Sequence, residues 1–182
     1  MEKKVIDEML LTQKMKLSKL KLLWHYSLVI LLFLPTLFVV WNFLEYYVLG
    51  IKEGMKPDLG GAVGIICIMF TLIFFYIQRK RLEFKEFKVN GLTQRAFMSA
   101  YKQTAKELNW SAEVMKDNII IAHRYASWEF SVGELITIIM DGDRILINSI
   151  CDPDRAISAI SYGWNKRNIK TFIKNINRAT ME

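Results

Sequence analysis

His123, Arg124, Glu134 and Lys166 are the residues whose types could do chemistry: an imidazole that titrates near neutrality, a carboxylate, and two cations able to hold an anionic group. His123 and Arg124 close the apolar run IIIAHR. Glu134 follows Gly133 in SVGELI, where glycine lets the chain bend. A general acid–base site around His123, Glu134 and Lys166 is one reading. The competing one is structural, because a lone His is more often a hydrogen-bonded framework residue, and Glu134 can pair with Arg124 or Lys166. In SYGWNKRNIKTFIKNI, residues 161–176, Asn165 reads as an N-cap and Lys166 and Arg167 fall in the first helical turn. Cations there cost about 0.3 kcal/mol or more against the helix dipole. A neighbouring acid such as Glu134, an anion on the free backbone N–H groups, or simple hydration would offset that. The candidate ligand-binding residues are therefore Arg124, Trp128, Glu134, Asn165, Lys166 and Arg167.

Other chemistry finds little support. No phosphate-binding loop, nucleophile elbow, zinc-binding H-E-x-x-H or dinucleotide fingerprint occurs. Asp141 and Asp143 flank Gly142, and Asp152 and Asp154 flank Pro153, but neither pair has the distal Glu of a calcium loop; both read as turn aspartates. Cys67 and Cys151 belong to no metal-ligand cluster and lie in segments that cannot meet, as expected in a reducing compartment. No catalytic residue, metal or cofactor is expected.

The elements that position these residues divide in two. Residues 22–44 hold no Lys, Arg, Asp or Glu, long enough to cross a bilayer, and residues 60–77 meet the lower limit. The loop between them has Gly50, Gly54, Pro57, Gly60 and Gly61, with Tyr46 and Tyr47 suited to an interfacial belt. The expectation is a two-helix transmembrane hairpin over residues 22–78. A cleaved signal peptide fits less well, because the run is too long and no small-residue cleavage site follows. Gly60 and Gly64 have the small-xxx-small spacing of close helix approach. Lys and Arg crowd residues 3–21 and 79–88, whereas the connecting loop has only Lys52 and Lys56, which puts both termini in the cytoplasm.

Residues 1–21 carry Ile6, Met9, Leu10, Leu17 and Leu20 among lysines. They read as an interfacial amphipathic helix or as a cytoplasmic extension of the first span. Residues 79–92 form a basic linker, of which LEFKEFKV is a linker or a first strand. Residues 93–182 are then a cytoplasmic domain. Thr93 reads as the N-cap of a helix that buries Ala96, Phe97, Ala100, Tyr101, Thr104 and Leu108. Four antiparallel strands follow, the last two joined at Asp141–Gly142, and Ile169, Phe172, Ile173 and Ile176 mark a closing helix. The fold class is membrane-anchored α+β, with about four strands flanked by two helices.

Residues 79–182 have 17 Lys/Arg and 12 Asp/Glu, a net of +5 out of the chain's +7. A basic domain at an anionic leaflet is drawn to it, so anionic lipid headgroups are expected at Arg79, Lys80 and Arg81, with nucleic acid the less favoured partner. FSVGELITIIMDGDRILINSIC followed by SYGWNKRNIKTFI resembles a recurrent cytoplasmic domain of small bacterial inner-membrane proteins, especially of the Bacteroidota. The pattern is W-x4-G-E-x-I-T-I and G-x-N-K-x-N-I, matched here by Trp128, Gly133, Glu134, Ile136, Thr137, Ile138, Ser149, Cys151, Gly163, Asn165, Lys166, Asn168 and Ile169. The resemblance implies an inner-membrane location and this domain, and carries no activity. The function expected is a non-enzymatic membrane protein whose domain binds a protein partner or an anionic ligand. The alternative is a ligand-gated effector, sensing a nucleotide and perturbing the bilayer as a homo-oligomer of hairpins.

Overall fold

A computed structural model of the chain describes residues 3–51, 57–116, 118–125, 133–155 and 161–181. Among them the order is α1 (Lys3–Thr12), α2 (Lys19–Tyr47), α3 (Pro57–Arg81), β1 (Lys85–Lys88), α4 (Gln94–Leu108), β2 (Trp110–Lys116), β3 (Ile119–Arg124), β4 (Glu134–Asp141), β5 (Arg144–Cys151) and α5 (Trp164–Ala179). The strands form one antiparallel sheet of five, ordered β1-β5-β4-β3-β2. The count exceeds the expected four because LEFKEFKV does form a strand, pairing Lys85–Lys88 with the start of β5.

Helices α2 and α3 are long and apolar enough to cross a membrane. They pack as an antiparallel hairpin. At one end His25 and Gln78 exchange hydrogen bonds, the imidazole donating to the Gln78 carbonyl at 3.0 Å and the Gln78 amide to the His25 carbonyl at 3.1 Å. Midway, the Thr71 hydroxyl lies 3.2 Å from the Leu32 carbonyl, one turn before Pro35. Further along, a Cβ on Gly64 would stand only 2.7 Å from Val39 Cγ1, so glycine sets the helix separation there.

The sheet is apolar on both faces. Ile120, Ala122, Ile136, Ile138, Ile145 and Ile147 meet α4 and α5 through Phe97, Ala100, Tyr101, Phe172 and Ile176. Helix α4 begins as expected, Thr93 Oγ1 accepting the Ala96 N–H at 3.1 Å, and its whole expected stripe is buried. The opposite face, with Ile119, Leu135, Ile139, Leu146 and Ile150, is covered by Ile6, Met9, Met15, Leu82 and Phe84. The sequence suggests headgroup contact or a helix extension for the first residues, but their apolar stripe packs on this sheet face instead. The physical reason is that β3, β4 and β5 offer a second row of branched side chains, which are more stable covered than wet. Backbone bonds from Met15 N–H to the Leu82 carbonyl (2.8 Å) and from Phe84 N–H to the Gln13 carbonyl (2.9 Å) fasten this arm to the chain leaving α3.

Candidate functional site

The closing helix starts at Trp164, with Gly163 at φ +86° as its N-cap and no side-chain bond to the first turn. Asn165, expected as the cap, lies inside the helix, where its Oδ1 accepts the Ser149 hydroxyl at 3.1 Å. Asn168 donates to the same hydroxyl at 3.0 Å and accepts the Trp110 indole N–H at 3.2 Å. Three polar side chains thus fix the start of α5 on β5, and the helix presents its first turn without a cap.

That turn faces the end of α3. Between them lies a cleft of about 440 Å³, lined from α3 by Tyr76, Ile77, Lys80 and Arg81 and from α5 by Asn165, Lys166 and Ile169. Its floor is the stretch of β5 at Asn148 and Ser149, just past Ile147, where the pairing with β1 ends. Asn148 also secures the α3 exit, its amide donating to the carbonyls of Arg81 and Glu83 at 2.8 and 2.7 Å. Lys80, Arg81, Lys85 and Lys166 bring positive charge to the cleft. Lys80 is offset by Glu83 at 3.1 Å. Arg81, Lys85 and Lys166 have no carboxylate partner among the described residues. Cations gathered around a cavity beside an uncapped helix start are what an anion requires.

No family model matches the chain, and no curated protein or solved structure does.

The other candidates separate. Arg124 and Glu134 are cross-strand neighbours on the face under α5, and they form a buried ion pair. Burial pushes the Glu134 carboxyl above its ordinary value against the pull of Arg124. The Arg124 guanidinium also lies 3.6 Å from the centroid of the Trp164 ring, over which Arg167 stacks at 4.6 Å. Of the two partners the sequence offers Glu134, it has Arg124. Trp128 lies outside the described residues. Arg79 is exposed and is not part of the cleft wall.

His123 falls on the opposite sheet face from Glu134, since strand residues alternate, so the two cannot share a site with Lys166. Its Nδ1 is 2.7 Å from Asp152 Oδ2 and its Nε2 is 2.9 Å from Glu113 Oε2. A bulge between Ala112 and Val114 brings Glu113 there. An ionised carboxylate only accepts, so each acid favours a proton on the ring nitrogen it faces; the geometry suits the imidazolium form and occupies both ring positions. The Asp152 bond, seconded by Glu113 against the cost of burial, holds its pKa above the usual 6.5. Burial by itself would raise the Asp152 carboxyl; His123, the Asp154 N–H and Arg155 outweigh it and hold that group low. Asp154 in turn pairs with Lys21 at 2.8 Å, tying the loop after β5 to the start of α2. Among the described residues no cluster of His, Cys, Asp or Glu could hold a metal ion.

Proposed function

We propose that the chain is a non-enzymatic protein anchored in a bacterial inner membrane by the α2–α3 hairpin, whose cytoplasmic α+β domain binds an anionic ligand in the cleft between α3 and α5. The observation that carries this reading is the set Arg81, Lys85 and Lys166, unpaired with any described carboxylate around one cavity. The acid–base set of His123, Glu134 and Lys166 is not brought together among the described residues: His123 is held between Asp152 and Glu113, and Glu134 faces Arg124.

The anchor reading rests on exposed apolar surface. Leu31, Phe38, Ile65 and Leu72 are 56%, 60%, 62% and 61% exposed on the hairpin, an arrangement that water disfavours and acyl chains accept. The basic residues at the domain end of both helices favour the cytoplasmic side for the domain. Bacterial origin follows the resemblance carried by Gly133, Glu134 and Lys166.

The test is thermal unfolding of the full chain in neutral detergent with inorganic phosphate, a nucleotide or phosphatidylglycerol added. A ligand at a hundred times its Kd stabilises by about 2.7 kcal/mol. At least one anion is expected to raise Tm in the wild type and not in Lys166→Ala. No shift with any of the three would contradict the proposal.

A further inference from the structure

We infer that the anion is the phosphate of an anionic phospholipid, which reaches the cleft sideways from the leaflet next to the domain. This rests on the cleft's being an anion site and names the source of the anion. The cleft wall on α3 changes character over five residues: Tyr76 and Ile77 are 61% and 38% exposed and apolar or aromatic, and Lys80 and Arg81 follow one turn later. At 1.5 Å per residue that change spans about 7.5 Å along the axis. A leaflet passes from acyl chain to phosphate in the same order, with tyrosine at the boundary. A soluble phosphate needs the cations but has no use for the apolar part of the wall; a phospholipid uses both.

The domain side supplies the rest of the headgroup contacts. Lys166 stands at the start of α5, Lys85 in the edge strand, and Ser161 and Asn165 add polar groups to the lining. Net positive charge disfavours a headgroup that ends in a quaternary ammonium, so the preferred lipid has an uncharged or hydroxyl-bearing terminus on its phosphodiester. Arg79 separates a built site from general attraction to a charged surface. It occupies the same end of α3 and is exposed, yet it lies outside the cleft wall.

Native mass spectrometry of the full chain, released from neutral micelles containing phosphatidylglycerol or phosphatidylcholine, measures the lipid retained. Phosphatidylglycerol is expected to stay bound to the wild type and to Arg79→Ala, and to bind at least tenfold more weakly to the Lys85→Ala/Lys166→Ala double variant. Both lysines are exposed, so the double variant should fold; its unchanged circular dichroism is part of the test. Equal loss in Arg79→Ala, or equal retention of phosphatidylcholine, would overturn the lipid site. Binding of glycerol phosphate or inorganic phosphate without lipid binding would overturn the source and leave the anion site standing. Binding of neither lipid nor soluble anion would remove both.

Discussion

Replacing Met9 by Ala should destabilise the sheet domain, although Met9 lies far from it in sequence. Its side chain is 1% exposed and packs with Ile6, Met15, Leu82 and Phe84 against Leu135, Ile139 and Leu146. Truncation removes that burial and leaves a cavity, since β3, β4 and β5 are held in register and cannot close on it. The expected loss is about 2–5 kcal/mol, the range for buried Met, Leu or Ile cut to Ala. Leu11, in the same helix, is 86% exposed, and Leu11→Ala should stay within about 0.5 kcal/mol. The assay is denaturant unfolding of the full chain in neutral micelles, followed by the fluorescence change as buried Trp110 becomes exposed. A headgroup-embedded α1 would make the two variants alike. Equal, small effects of Met9→Ala and Leu11→Ala would therefore refute the docking of α1 on the sheet.

Glu134→Ala removes the buried carboxylate that faces the Arg124 guanidinium and should destabilise the domain by at least about 1 kcal/mol in the same unfolding assay, with Glu134→Gln costing less because an acceptor remains. The His123 clasp sets a pH window. A raised imidazole pKa contributes stability that is complete below the unfolded value of 6.5 and is lost as pH rises through the folded value, while the lowered Asp152 contributes above 3.8 and is lost as pH falls through its folded value. Unfolding titrations should show the clasp strongest between those two limits, and His123→Gln should remove the alkaline fall. Gly64→Leu sets a branched side chain where a Cβ already meets Val39 at 2.7 Å, so disulfide trapping between cysteines placed at Leu32 and Thr71 should become less efficient.

Local chemistry made part of this structure readable. The Thr93 cap, the α4 stripe and the Asp141–Gly142 turn each depend on a few adjacent residues, and all three stand as the sequence implies. The second covered face was signalled and easily overlooked: IIIAHR and ELITIIM are nearly continuous apolar runs, the pattern of strands buried on both sides. What covers that face was not legible, because the amphipathic stripe of α1 suits a bilayer as well as a sheet. Buried Asn168 and Asn175 look like surface residues by type; their partners, Trp110 and Ser149 for one and Thr104 for the other, come from distant elements. Asp152 hid for a similar reason, since its meeting with His123 needs the β3–β4–β5 register. Lys166 and Asn165 could be singled out as an electrostatic anomaly, but the convergence with Lys80, Arg81 and Lys85 depends on how the hairpin leaves the sheet.

Hydrogen exchange at the start of α5 tests the binding cleft most directly. The Asn165 and Lys166 amides lie in the uncapped first turn, so a phosphate held there should protect them. With the full chain in nanodiscs, replacing phosphatidylcholine by phosphatidylglycerol is predicted to slow exchange in peptides covering Gly163–Asn168 and Lys80–Lys85, and to leave those of α4 unchanged. Exchange that is identical in the two bilayers, or slowed equally in α4, would contradict an anion bound between α3 and α5.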